Sequence, residues 1–401
     1  MNTTSPEALR NRLVDQLTEA GTVRTAAVET AMRTVPRHEH VPDVSTETAY
    51  ANASVTIKPG ADPDGLPLSC ASEPAIVAMM LEQLDVKPGD HILEVGAGTG
   101  YNAALLAFLT GPNGQVTTVD IDPDVTAHAR KALDATGNDR VHVATRDGAL
   151  GDHDHAPYDK MTVTVGAWDL PTAWWQQLAD EGRLVVPLRW RGTTRSVAFT
   201  LHGDQLHSVD MQLCGFVPML GQDGERDGSI DADGTVNLYW DIDQNIAPAA
   251  LTGVLDQPKA QSWSGVSVGG EEPFDGVWLR MSATDPATCR IEAKSEAVKS
   301  GLCTPAIPSR SPALAEGGSL AYFLFRRQEG QSPARFELGA TGHGPAGQDL
   351  ADRLCGHIRA WGQDRTAQPH ITVYPADATT PVDAGHVITK RDSRLVFTWP
   401  K

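Results

Sequence analysis

The sequence predicts an α/β protein: a Rossmann-like parallel sheet with helices on both faces, an N-terminal helical segment, and an additional C-terminal α+β domain. Three observations carry this reading. From Ser72 onward, helical and strand patterns alternate at a pitch that calls for a parallel sheet with crossover helices. The stretch EVGAGTGYNAALLA, Glu94–Ala107, crowds three glycines between an apolar strand run and a helical run. The chain has 401 residues, long for one domain, and the alternation stops after about residue 225. The expected division is therefore 1–75 for the N-terminal helices and a substrate loop, 76–225 for the cofactor-binding core, and 226–401 for an accessory domain.

Each element has a local reason. Ser5 and Pro6 read as N-cap and first helical residue, Leu9, Leu13 and Leu17 form a stripe, and Gly21 stops the helix. A second short helix spans Arg24 to Arg33. VPRHEHVP, Val35–Pro42, reads as a turn-rich clasp bounded by prolines, and residues 43 to 70 read as loop, with KPGADPDGLP the clearest linker. The alternation then runs EPAIVAMMLEQL (helix), DHILEVG (strand), YNAALLAFLT (helix), GQVTTVDID (strand), PDVTAHARKALDATG (helix) and RVHVATRDG (strand). It closes with YDKMTVTVGA (strand), PTAWWQQLADEG (helix) and RLVVPLR (strand). RDGSIDADG reads as a linker. Beyond it, SLAYFLFRR, ARFELGA, HITVYPA and SRLVFTWP read as strands, and Leu350, Leu354, Ile358 and Trp361 share one face of a helix.

Composition narrows the function. A formal net charge of −18 argues against nucleic-acid or membrane-surface partners, because phosphates need Lys and Arg. Five scattered cysteines without a CxxC argue against a disulfide framework or structural zinc. No apolar run is long enough to span a bilayer, so the chain reads as soluble and cytoplasmic, with a monomer as the expected state. DHDHAPYD, Asp152–Asp159, lies in a loop without helical spacing, and no metal ligand set is read from it.

Gly96, Gly98 and Gly100 form G-x-G-x-G. A nicotinamide-dinucleotide turn needs its third glycine where this chain has Tyr101, and a P-loop needs a Gly-Lys-Ser/Thr ending that is missing. Glu94 favours a cationic ligand over phosphate. S-adenosylmethionine, with an ammonium and a sulfonium, fits that pattern. Asp120 ends the next strand where an acid could bridge a ribose diol, and Asp147-Gly148 ends the third, where a carboxylate could accept from an adenine amino group. The expected fold is thus a Rossmann-like one that binds S-adenosylmethionine, the fold class of S-adenosylmethionine-dependent methyltransferases.

The order of VPRHEHVP, SEPAIVAMMLEQL, EVGAGTGYNAALLA, RDGALG and APYDKMTVTVGAWDLPTAWWQQLADEGRLVVPLR resembles the protein-L-isoaspartate O-methyltransferases up to roughly residue 220. CGFVPMLG and ITKRDSRLVFTWP look like C-terminally extended, peptide-tailoring relatives (the "FxLD system" and lanthipeptide- and graspetide-associated methyltransferases). The resemblance implies methyl transfer from S-adenosylmethionine, leaving S-adenosylhomocysteine, to an Asp side-chain carboxylate of a modified precursor peptide, which then gives succinimide or isoaspartate. The alternative it implies is general isoaspartyl repair. It makes Ser72 the active-site serine. It makes Glu94, Gly96, Ala97, Gly98, Thr99, Gly100, Tyr101, Asp120, Ile121, Asp147, Gly148, Thr164 and Val165 the cofactor's surroundings.

Overall fold

In a computed structural model, residues 4–60, 67–378 and 385–400 are described. They group into two units: 1–188, 194–219 and 373–375 in the first, and 189–193, 220–372 and 376–401 in the second. Most of KPGADPDGLP, residues 61–66, lies outside the described residues.

The first unit opens with α1 (Pro6–Glu19), whose N-cap Ser5 accepts from the Ala8 amide, and α2 (Ala26–Thr34), capped by Thr25. The proline-bounded clasp folds as one helical turn, α3 (Arg37–His40). The segment read as loop carries a turn α4 (Thr46–Ala49) and a small antiparallel pair, β1 (Val55–Lys58) and β2 (Ser69–Ala71). Its alternation is too short to register as a pattern. Then follow α5 (Pro74–Leu84), β3 (His91–Val95), α6 (Tyr101–Thr110), β4 (Gln115–Asp120), α7 (Pro123–Ala135), β5 (His142–Thr145) and β6 (Tyr158–Val163). After these come α8 (Thr172–Gln177), β7 (Leu178–Trp190), β8 (Thr193–His202) and β9 (Gln205–Leu213).

The strands run in the order β9-β8-β7-β6-β3-β4-β5. The pairs β3–β4, β3–β6, β4–β5 and β6–β7 are parallel, whereas β8–β9 is an antiparallel hairpin. The chain reverses its direction of sheet growth at β3, with β4 on one side and β6 on the other. Ligands of such sheets bind in the crevice outside the strand ends at that switch. The helices α1, α2, α5 and α6 bury Leu13, Leu17, Met32, Leu81 and Leu105 in one cluster against Ile92 and Val185.

PTAWWQQLADEG is helical only to Gln177. Leu178 already pairs with Tyr158, and the chain bulges at Glu181 (φ +59) before Arg183 pairs with Lys160. RDGSIDADG is not a linker but the start of the second unit's sheet.

That sheet begins with β10 (Glu225–Ser229), which pairs antiparallel with β11 (Val236–Asp241). Asp231 holds the connecting turn by accepting from the Thr235 and Val236 amides. The unit continues with α9 (Pro248–Leu251), β12 (Ala260–Gly269), α10 (Asp275–Thr284), β13 (Thr288–Ala293) and α11 (Ser295–Ser300). It adds β14 (Ser311–Glu316), β15 (Ser319–Arg327), β16 (Arg335–His343) and α12 (Gly347–Gln363), and the strand order is β10-β11-β13-β14-β15-β16-β12. Both faces are covered. Leu320 and Tyr322 of β15 pack in one cluster with Val254 and Ala297, while Ala321 and Phe323 pack in another with α12. Period-two alternation between two buried faces explains why SLAYFLFRR reads as an unbroken apolar run. On α12 the stripe Leu350, Leu354, Ile358 and Trp361 is buried, each side chain contributing roughly 1.5–3 kcal/mol by removal from water. The strands His370–Pro375, His386–Thr389 and Ser393–Thr398 complete the chain, the last two as a hairpin. Among the described residues no helix is long and apolar enough to cross a membrane.

Candidate active site

The glycine turn follows β3 and opens α6. All three glycines hold positive φ: +103 at Gly96, +51 at Gly98 and +75 at Gly100. Gly96 leaves no room for a side chain, since a Cβ there would lie 2.4 Å from Thr164 Oγ1. The Thr164 hydroxyl donates to the carbonyls of Gly96 (2.7 Å) and Val95 (3.1 Å), so the end of β6 buttresses the turn after β3. Gly100 packs against Ala129 and Leu133 of α7. Val165, beside Thr164, stays partly exposed.

Asp120, at the end of β4, accepts from the amides of Gly98 (3.4 Å) and Asp122 (3.1 Å). Burial pushes its carboxyl above the usual range while these amides pull it back. Ile121 next to it is 47% exposed, an apolar side chain left open beside the acid. Asp147 is exposed and caps the turn Gly148–Leu150 through the Ala149 amide (2.9 Å). Gly148 is buried, its carbonyl accepts from Trp174 Nε1 (2.9 Å), and a Cβ there would meet Val95 Cγ1 at 2.4 Å. The Trp174 ring is thereby core that positions the third strand's exit. A further segment, part of the CGFVPMLG stretch, closes in from after β9; in sequence that stretch reads only as a family likeness and not as part of the site. The Gly166 amide donates to the Val217 carbonyl (2.7 Å), and the Met219 amide donates to that of Gly166 (3.0 Å), which sets Met219 near Gly148.

Glu94 is fully buried. Its carboxylate accepts from Thr118 Oγ1 (2.6 Å) and Asn102 Nδ2 (2.8 Å), and desolvation raises its pKa to about 7. Any electrostatic effect on a ligand is therefore exerted through the protein from below the turn, not by direct exposure. The folded-state pKa lies above the ordinary value of 4.5, so the stability this group lends is present at low pH and lost as pH rises through 7. Glu94→Gln is accordingly expected to raise the melting temperature of the ligand-free protein at pH 8 and to leave it unchanged at pH 5. The difference is on the order of 1–3 kcal/mol, readable by thermal melts at the two pH values.

Ser72 lies between β2 and α5. Glu73 occupies the N-cap of α5 without a side-chain cap bond, so Ser72 is not a simple helix cap. The backbone around it is fixed by Arg37, the buried residue of the clasp. Nη2 donates to the Ser72 carbonyl (2.8 Å) and Nε to that of Ala49 (3.0 Å), while the guanidinium lies 5.1 Å from the Tyr101 ring centroid. His40, also fully buried, donates from Nδ1 to the Thr99 carbonyl (3.1 Å), and burial lowers its pKa to about 4, so it is neutral at physiological pH. VPRHEHVP is thus the tie between the serine, the glycine turn and α6. The sequence marks it only as a proline-bounded clasp. Tyr101 is buried, and Ala97 and Thr99 lie inside the turn itself.

These residues fit S-adenosylmethionine. The positive-φ cradle admits close backbone approach, an acid with an open apolar neighbour ends β4, and a carboxylate underlies the turn. The fold is that of a Rossmann-like S-adenosylmethionine-dependent methyltransferase.

Residues 8–224 match the family described as protein-L-isoaspartate(D-aspartate) O-methyltransferase, and the chain belongs to that family of protein carboxyl O-methyltransferases. A protein-L-isoaspartate O-methyltransferase of Methanopyrus kandleri is 39% identical over 218 residues, 54% of this chain and 92% of its own length. Its counterpart from Hyperthermus butylicus is 37% identical over 232 residues, 55% of this chain and 92% of its own. A solved structure of a protein-L-isoaspartate O-methyltransferase aligns with a TM-score of 0.50 at 17% identity, covering 90% of this chain and 96% of its own.

Proposed function

We propose that the chain methylates the free carboxylate of isoaspartyl residues in peptides or proteins. The observation that carries this is the family match over 8–224, coupled to a serine whose carbonyl is held by Arg37, the guanidinium that also lies 5.1 Å from the Tyr101 ring at the start of α6. S-adenosylmethionine supplies an already activated methyl group. A carboxylate is ionised at neutral pH, with an ordinary pKa of roughly 4, so the protein needs no general base. Its contribution is alignment, for which well-oriented pairs gain roughly 7–11 kcal/mol. In this reading Ser72 donates to the substrate carboxylate, and Arg37 fixes its backbone. Gly96 to Tyr101 and Thr164–Val165 surround the methionine end, Asp120 and Ile121 the ribose, and Asp147-Gly148 the adenine.

A second reading is esterification of an ordinary Asp in a modified, cyclised precursor peptide, with the second unit as the recognition module. What supports it is the likeness of CGFVPMLG and ITKRDSRLVFTWP to peptide-tailoring relatives. A second unit does not by itself set the chain apart from repair enzymes. The solved isoaspartate methyltransferase with 90% coverage aligns well beyond residue 224.

Incubating the full chain with methyl-labelled S-adenosylmethionine and two peptides that differ only in isoaspartyl against aspartyl linkage separates the readings. The first predicts label in the isoaspartyl peptide alone. Label in neither linear peptide, together with label in a cyclised Asp-containing peptide, would replace it with the second.

A further inference from the structure

From its sequence alone the loop after β5 gives no metal ligand set, because its His and Asp residues lack helical spacing. The fold supplies the missing partner, His142 at the start of β5. Asp152 is fully buried, and its backbone is pinned on both sides: its amide donates to Gln177 Oε1 (2.8 Å) and its carbonyl accepts from the Tyr158 hydroxyl (2.8 Å). Arg146 occupies carboxylate oxygen Oδ1. The other oxygen, Oδ2, lies 2.7 Å from His155 Nδ1 and 4.0 Å from His142 Nε2. The two imidazoles face each other with ring centroids 4.3 Å apart, and one ligand atom from each of the three residues lies within 4.8 Å of the others.

We propose that His142, Asp152 and His155 form a site for one zinc-class divalent cation, with water completing a tetrahedron. Zinc binds imidazole nitrogen and carboxylate oxygen at about 2.0–2.2 Å, so neighbouring ligand atoms sit roughly 3.3 Å apart. Oδ2 and the His155 nitrogen already lie inside that spacing, and the half-exposed His142 ring has to close from 4.0 Å on Oδ2 and from within 4.8 Å on the His155 ligand atom. Binding moves the proton of His155 from Nδ1 to Nε2, which leaves the ring neutral with a lone pair on the metal side. Arg146 acts as the outer partner that orients the ligating carboxylate. Its charge also weakens cation binding, as does that of the nearby Arg130, so the site is expected to bind more weakly than a closed structural zinc site. Magnesium and calcium, which prefer six or more oxygen ligands, are excluded by the donor set.

The test uses the untagged full chain stripped of metal. Micromolar Zn²⁺ is expected to raise its melting temperature by a few degrees in a dose-dependent way, and Mg²⁺ to leave it unchanged. Co²⁺ is expected to give the visible absorption of a tetrahedral nitrogen- and oxygen-ligated ion. His142→Ala and His155→Ala, both at half-exposed positions, should each remove the Zn²⁺ shift and the Co²⁺ band, whereas His202→Ala, whose ring lies 5.6 Å from that of His207, should keep both. Absence of the Co²⁺ band in the wild type, or a Zn²⁺ shift that survives both substitutions, would overturn the proposal.

Discussion

Gly96→Ala is expected to raise the dissociation constant for S-adenosylhomocysteine at least a hundredfold, about 2.7 kcal/mol, and to lower the melting temperature. At φ +103 the residue lies outside the compact left-handed region that L-residues can visit, so the backbone alone costs roughly 1–3 kcal/mol. The added methyl would also fall 2.4 Å from Thr164 Oγ1, forcing that hydroxyl off the carbonyls of Val95 and Gly96 and parting β3 from β6 at the switch point. Gly98→Ala is the contrasting case. Its φ of +51 is tolerable for alanine, and the nearest atom to the new Cβ is the Cys70 carbonyl oxygen at 3.9 Å, so the fold should lose only about 1 kcal/mol. Thermal melts and calorimetric titration of both variants check the pair. Equal destabilisation by the two would contradict the packing described for Gly96.

Asp120→Ala is expected to weaken S-adenosylhomocysteine binding by a similar factor, for a different reason. The carboxylate organises the turn through the amides of Gly98 and Asp122, and in the proposed function it also accepts from the ribose diol. Hydrogen bonds to a charged group are each worth about 1.5–3 kcal/mol. Asp120→Asn keeps one acceptor and should fall between the variant and the wild type. Because the loss is in cofactor binding, kcat at saturating S-adenosylmethionine should fall less than kcat/KM. A wild-type KM for the cofactor in Asp120→Ala would remove the residue from the ribose role.

The central sheet was legible because its information is local. A strand run, three glycines and a helix run within Glu94–Ala107 specify β3, the turn and α6 with little reference to the rest of the chain. What sequence reasoning missed depends on partners far away. The hairpin of β8 and β9 hides because Thr193, Arg195 and Ser196 are buried, so β8 shows no apolar alternation. ERDGS of β10 contains no apolar side chain and becomes a strand only by pairing with β11, whose Leu238 and Trp240 supply the buried face. In the site, the acids at the ends of β3 and β4 were readable from spacing. That Glu94 is sealed beneath the turn was not, because Thr118 and Asn102 reach it only through tertiary packing. The connections of Arg37 to Ser72 and His40 to Thr99 are long-range contacts of a proline-bounded turn, and no periodicity announces them.

The central claim is that the crevice outside β3, β4 and β6 holds the methyl donor. A crystal structure of the full chain with S-adenosylhomocysteine tests it most directly. The account predicts the ribose hydroxyls on the Asp120 carboxylate, the amino-acid end against Gly96–Gly98, and the adenine beside Ile121 and Gly148. A ligand bound elsewhere, or one in this crevice whose ribose does not touch Asp120, would contradict it.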